Sequence, residues 1–316
     1  MPLTSSVVID SYNYGRYVSE TVDSVLAQTL PPDEIIVVDD GSTDDSQEIL
    51  RQRYGKDPLV TLITQTNGGQ GMAVTTGLAR ARGDLVFFLN SDDQYTPQHL
   101  EKVTRVYNEH KNIDYVITAY RNIGANNDIV QQYPCDKNLG FSVIGTMMGQ
   151  LYVGGMTSML SLRRRLALTL LPAMQQMAPR WTVGADDLLN YGSSLAGARK
   201  YFLAEPTVLY RVHDSNHTTF MLNEWADDKW LRRNNAIAVY GDHLGLRLEL
   251  GCRADVEFRS IEDPSLAQYQ IYRSIIWKLK LSLVERLKMQ LRLYFWFKGS
   301  KKPTLRSLVG WDRRTS

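Results

Sequence analysis

The chain has 316 residues, 43% of them apolar and 22% charged, which is a globular composition with enough apolar mass for one large α/β domain and an appendage. The net charge of +2 hides an acidic body and a basic tail: residues 273–316 hold twelve basic and two acidic side chains, residues 1–272 hold 24 and 32. Two distant cysteines, Cys135 and Cys252, exclude a disulfide framework, and no apolar run of about 18 residues is present to cross a bilayer. Without a signal-peptide pattern at its start, the chain is expected to be cytoplasmic, with both thiols reduced.

Four short apolar runs, at 6–9, 34–38, 59–63 and 85–89, predict strands that each end on a turn signal. Between the first two, Val18, Val22, Val25 and Leu26 mark one helical face, and Pro31-Pro32 stops it. Residues 42–51 and 71–81 predict two further helices. Strand–helix alternation at this spacing predicts βαβ units and a mainly parallel sheet flanked by helices, an α/β fold. After about residue 115 the pattern loosens. Strands are expected at 156–162, 200–203 and 208–212, and a helix at 186–195. Beyond residue 223 the chain reads as helical, with Trp225, Trp230, Ala236 and Val239 suggesting its buried face.

Ligands of parallel sheets sit beyond the carboxyl ends of the strands. The four loops there are Asp10-Ser11-Tyr12-Asn13, Asp39-Asp40-Gly41-Ser42-Thr43-Asp44, Thr66-Asn67-Gly68-Gly69-Gln70-Gly71 and Asn90-Ser91-Asp92-Asp93. Each alone reads as a turn with a helix cap; together they read as the rim of a polar cleft. The Asp92-Asp93 pair offers carboxylates to Mg²⁺ or Mn²⁺, which would bridge a diphosphate. Asp39 and Asp40 can accept hydrogen bonds from a base N–H or ribose hydroxyls. The glycines from Gly68 to Gly71 open a helix whose free amides would suit phosphate. Farther on, Asp186 and Asp187 start a helix and provide a candidate base for an acceptor hydroxyl. His213, beside Arg211 in the run from Tyr210 to His217, is a candidate for the same metal or the diphosphate.

In this order the segments resemble the family 2 glycosyltransferases, which have a GT-A fold, over roughly the first 220 residues. Residues 7–13 look like the family's first strand and Tyr-Asn loop, 37–44 like its uridine-binding segment, and 83–93 like the stretch ending in its metal-binding acids. The resemblance implies nucleotide contacts from Asp10, Tyr12, Asp39, Asp40, Asn67, Gly69 and Asp92. It implies a metal held by Asp93 as the leading ligand, with Asp92 and His213. It also implies Asp186 as catalytic base, with Asp187 as fallback, in an inverting displacement from a nucleotide-diphosphate donor, UDP-sugar favoured, to a saccharide or lipid-linked acceptor. The corresponding organisation is 1–115 for the nucleotide, 116–220 for the acceptor and 221–316 for a helical C-terminal region. Asn90 stands where Asp is common, Asp10 where Pro or Thr is usual, and Ala185 replaces an acid that often precedes the base. Two other readings compete: a sugar nucleotidyltransferase, and a non-catalytic nucleotide-sugar-binding homologue.

In the tail, Ile275, Ile276, Leu279, Leu283, Leu287, Leu291 and Tyr294 recur at near-helical intervals, with Trp296, Phe297, Lys298, Lys301 and Lys302 after them. A basic amphipathic helix of this kind suits an anionic membrane surface at the inner face of a cell. The same stripe would also serve packing on the catalytic domain or a homo-oligomer contact. No nucleic-acid module accompanies the basic residues, so no nucleic-acid partner is expected.

Overall fold

The computed structural model describes residues 2–124, 126–213 and 226–300. Strands β1 (Ser5–Ser11), β2 (Glu34–Asp39), β3 (Val60–Thr64) and β4 (Leu85–Asn90) form a parallel half-sheet in the order β3-β2-β1-β4. Strand β1 lies inside it, buried at every residue. Side chains alternate across a strand. Val7, Ile9, Ile35, Val37, Phe87 and Leu89 therefore enter one core, and Val8, Ile36, Val38, Val86 and Phe88 the other. Helices α1 (Gly15–Leu26) and α2 (Ser46–Tyr54) cover the first face through Val18, Val22, Val25, Leu50 and Tyr54. Helix α3 (Gln70–Arg80) covers the second through Ala73, Val74 and Leu78. Helix α2 starts four residues later than its expected start at 42, because Asp39 and Asn13 hold residues 42–44 in a turn.

Past β4 the sheet continues through β9 (Leu160–Arg163), β6 (Tyr115–Gly124), β10 (Lys200–Val212) and the edge strand β5 (Gln94–Tyr95). The short β7 (Ile129–Val130) and β8 (Lys137–Gly140) pair with β6 and β10. The four longest ladders are parallel and the five short ones antiparallel, so the sheet is mainly parallel, with β9 reversed between β4 and β6. The strand expected at 156–162 begins only at Leu160, after a 3₁₀ turn over Thr157–Met159. The two strands expected at 200–212 join into one, with register shifts around Pro206, which has no N–H for the ladder. Helix α4 (His99–Glu109) packs on the first face, α6 (Arg164–Met177) and α7 (Ala185–Leu195) on the second, and α5 (Val143–Gly149) follows β8.

Helix α8 (Ala226–His243) sends Ala236 and Tyr240 into the sheet's own core. Trp230, expected on the buried face, is 56% exposed. Six residues before Ala236, it sits about 120° away round the helix. Helices α9 (Ala254–Phe258), α10 (Leu266–Lys278) and α11 (Leu283–Ser300) build a separate apolar cluster with Ile144 of α5. Its polar centre is Glu257, whose carboxylate accepts from Ile144 N (3.0 Å), Gly145 N (2.9 Å) and the Tyr272 hydroxyl (2.6 Å). The boundary expected at 220/221 and the residues from 301 onward lie outside the described residues. Among the described residues no helix is long and apolar enough to cross a membrane.

Candidate active site

Parallel register places Asp10 opposite Asn90 and Ser11 opposite Asp39, so the loops after β1, β2 and β4 open together on one edge of the sheet. They are tied to one another. Asn13, at φ 56°, accepts from Thr43 N (2.7 Å) and donates its own N–H to Ser42 Oγ (2.9 Å). Asp39 Oδ1 accepts from Ser42 N and Gln47 Nε2, both at 2.9 Å, while its buried Oδ2 has no protein partner. Asp39 also lines a cleft of about 330 Å³ with Val37, Gln47, Leu62 and Thr64. Tyr12 stands exposed at the rim.

The glycine loop is used differently from the sequence expectation. Asp40 accepts from Gln65 Nε2 (2.7 Å), Gly68 N (3.0 Å) and Gly69 N (2.7 Å). Gln70 N and Gly71 N donate to Thr182 O and Trp181 O, both at 2.9 Å. The amides expected to receive phosphate, that of Gly69 included, are therefore spent inside the protein. The glycines serve close approach instead. A Cβ on Gly69, which has φ +86°, would stand 2.3 Å from Thr182 Cα, and one on Gly71 would stand 2.6 Å from Trp181 O. The exposed Asn67 stays at the rim, its backbone N 2.9 Å from where a Gly41 Cβ would be.

The two neighbouring acids divide. Asp93 is 0% exposed, and its Oδ2 accepts from Ser158 Oγ (2.5 Å) and its Oδ1 from Arg211 N (2.9 Å). Burial first, and the Asp92 charge second, push its pKa well up. Both of its oxygens thus join β4 to β10 and the 3₁₀ turn, a structural part beside its expected place as the leading metal ligand. Asp92 Oδ2 lies 3.1 Å from His213 Nε2. Burial, then the charges of Asp92 and Asp10, hold the Tyr14 phenol above its usual range. Rings of Tyr14 and Tyr17 flank His213 at 5.8 and 5.1 Å. Arg211 donates from Nε to Asp92 O (2.9 Å), pairs with Glu20 (2.5 Å) and lies over Tyr17. His217 falls outside the described residues.

Asp10 points at the same corner. It is 9% exposed, and its Oδ1 has no protein partner. Burial pushes its pKa up to about 7, with a hydrogen bond from Gln70 opposing and the Asp92 charge adding. Gln70 is the site residue that loop chemistry alone does not single out. Its Nε2 donates to Asn90 Oδ1 (3.1 Å), and its Oε1 accepts from Gly184 N (3.0 Å) and Ala185 N (3.2 Å). One side chain thus links the end of β4 to the first turn of α7, where Asp186 and Asp187 sit half-buried. Ala185, at the position where the family often has an acid, is fully buried in the core. The far side of α7 is anchored by buried Lys200, whose Nζ donates to Val153 O (2.5 Å), Asn190 O (2.9 Å) and Ser194 Oγ (2.8 Å). Burial pushes the Lys200 pKa well down, while its three acceptors match the three N–H bonds of an ammonium.

Among the described residues no three His, Cys, Asp or Glu side chains converge on one metal-sized position. The Asp92 carboxylate and the His213 imidazole would suit a hard divalent ion that takes its remaining ligands from water and phosphate.

Residues 6–170, more than half of the chain, match the family model described as "Glycosyl transferase family 2". The chain belongs to that family. A Nostoc protein named as a glycosyltransferase is 33% identical over 218 residues, 67% of this family 2 chain and 66% of that protein. The chondroitin synthase of Escherichia coli is 35% identical over 130 residues, 41% of this chain but 19% of the synthase. The chain therefore spans less than two thirds of either relative. Among solved structures, S. aureus TarS 1–349 in complex with UDP-GlcNAc superposes with a TM-score of 0.56 over 95% of this chain and 82% of that one. At 17% identity the likeness is one of fold, the GT-A fold.

Proposed function

We propose that this family 2 protein is an inverting, metal-dependent glycosyltransferase. It moves a sugar from a UDP-sugar donor to a hydroxyl of a saccharide or lipid-linked acceptor in the assembly of a cell-surface polysaccharide or glycolipid. The observation that carries the reading is the Gln70 bridge. It brings the Asp10–Asn90–Asp92–His213 corner and the first turn of α7 to one place. A donor-binding corner and a candidate base are thereby held on one rigid frame, as a single displacement requires. The UDP-GlcNAc bound by TarS supports the donor class, and the activity named for the chondroitin synthase supports polysaccharide assembly.

Asp92 and His213 would hold Mg²⁺ or Mn²⁺. When bound, the ion supplies positive charge to the departing diphosphate. Asp39, with its free Oδ2, and the exposed Tyr12 ring hold the nucleoside end, and Asp40 keeps the loop under it in shape. Asp186 accepts the proton of the acceptor hydroxyl. The hydroxyl oxygen forms the new bond to the sugar's anomeric carbon as the bond to the diphosphate oxygen breaks, and the nucleoside diphosphate leaves with that electron pair. Asp187, the fallback base, is the next residue of the same turn, about 100° farther round the helix.

The test is a thermal-shift screen of nucleotide sugars with Mn²⁺, followed by turnover of the best binder by the wild type and Asp186→Asn. A specific donor raises the melting temperature by mass action. Asp186→Asn should cut kcat by about 10²–10⁴ while the donor shift stays. Full turnover by Asp186→Asn, or no donor-dependent shift in the wild type, overturns the assignment.

A further inference from the structure

The apolar stripe that looks continuous in sequence is cut in two. Between α10 and α11, Ser282 caps the second helix, exchanging hydrogen bonds with Glu285 (Glu285 N to Ser282 Oγ, 3.2 Å; Ser282 Oγ to Glu285 Oε2, 2.6 Å). The first half of the stripe is internal: Ile275 and Ile276 are 1% and 0% exposed. In α11 the inward face is Met289, Leu293 and Phe297, at four-residue spacing. That choice turns the other apolar residues outward. Leu283, Val284, Leu287, Leu291, Tyr294 and Phe295 are exposed, and on a helical wheel they occupy about 120° of the surface opposite the packed face.

We propose that this outer face of α11 is a membrane-docking surface that lies in the interface of an anionic lipid bilayer. Charge selects this occupant. The exposed Lys288 borders the stripe and the exposed Lys298 closes its C-terminal end. Arg292, whose Nε is 2.5 Å from Asp255, is half exposed beside it. Residues 301–316, which follow directly, carry five basic side chains and one acidic. The helix's one acid, Glu285, is committed to its cap. A second copy of the chain would lay the same basic rim against itself in a two-fold contact. An anionic leaflet offers the opposite charge and an apolar layer about 5–10 Å deep for the stripe. The apolar residues include the interfacial type Tyr294, 42% exposed. Docked in this way, α11 would bring the acceptor-side half of the molecule to the bilayer, because its cluster joins the sheet layer through Ile144 of α5. The proposal extends the lipid-linked acceptor reading, but its test does not depend on catalysis.

The experiment is co-sedimentation of the full chain with equimolar phosphatidylglycerol/phosphatidylcholine vesicles and with pure phosphatidylcholine vesicles at low salt. It compares wild type, Leu287→Glu/Leu291→Glu and Lys288→Glu/Lys298→Glu. Sedimentation velocity without lipid reports the oligomeric state. The wild type should pellet with anionic vesicles and at least tenfold less with neutral ones. Each basic residue contributes on the order of fivefold to partitioning, so the lysine variant should lose more than tenfold. The leucine variant should lose binding to both vesicle types, while retaining the wild-type circular dichroism spectrum and donor-induced thermal shift. Absence of wild-type pelleting, or unchanged pelleting of the leucine variant, overturns the proposal. A wild-type dimer that the leucine variant converts to monomer also overturns it and makes the face a self-interface.

Discussion

Replacing Asp93 with alanine separates the two acids that the sequence presents as a pair. In the wild type the fully buried Asp93 carboxylate receives the Ser158 hydroxyl and the Arg211 amide. The substitution leaves the amide donor buried without a partner, and the hydroxyl too unless it turns to another acceptor. Each unsatisfied buried group costs roughly 1–3 kcal/mol, so the variant should lose about 2–5 kcal/mol of stability. Asp92→Ala removes a buried carboxylate that faces His213 but also its repulsion of Asp10 and Asp93, which offsets the lost contact, and should lose less than about 1 kcal/mol. Urea denaturation with EDTA measures the first quantity, and calorimetric titration of Mn²⁺ with UDP the second. The expected pattern is a lower midpoint with residual Mn²⁺-dependent binding for Asp93→Ala, and an ordinary midpoint with lost binding for Asp92→Ala. An unchanged midpoint with abolished Mn²⁺ binding in Asp93→Ala would refute the structural tie and make Asp93 a direct ligand.

Three further outcomes follow from the same geometry. Asp10 has a folded pKa of about 7 against an ordinary 3.8. Its favourable contribution is therefore complete below pH 3.8 and lost as pH rises through 7, and above that the buried carboxylate opposes folding. In EDTA, Asp10→Asn should gain stability on the wild type between pH 4 and pH 8 by up to about 4 kcal/mol; a pH-independent difference in urea midpoints would contradict this. Gln70→Ala should lower kcat by about tenfold or more with a smaller change in donor affinity, since it loosens the first turn of α7 against the donor corner; steady-state kinetics with unchanged kcat would remove the positioning role. Gly69→Ala, at φ +86° and facing Thr182 backbone, should cost about 1–3 kcal/mol in thermal denaturation, and a neutral substitution would show that the two loops can separate freely.

Most of the half-sheet was legible because its signals are local. Strands 6–9, 34–38 and 85–89 are apolar runs ended by polar turns, and a short continuous apolar run with turn chemistry needs no distant partner to be read. The loops Asp10–Asn13, Asp39–Asp44 and Asn90–Asp93 follow from the same logic, since a parallel sheet brings the ends of its strands together. What each polar atom does there was not legible. Asp92 and Asp93 are adjacent and chemically identical, and only the arrival of Ser158, Arg211 and His213 from 65 to 121 residues away distinguishes them. The glycine loop looked like a phosphate cradle until Asp40, Trp181 and Thr182 claimed its amides. Gln70 carries no local signal, because a glutamine beside glycines is ordinary until Asn90 and the start of α7 approach it. The tail shows the same division. Its amphipathic period determined that helices form, but the cap at Ser282 and the cluster around Glu257 decided which leucines face inward. Periodicity along the chain sets which side chains share a face, whereas what covers that face is a contact between distant segments and exists only after the chain has folded.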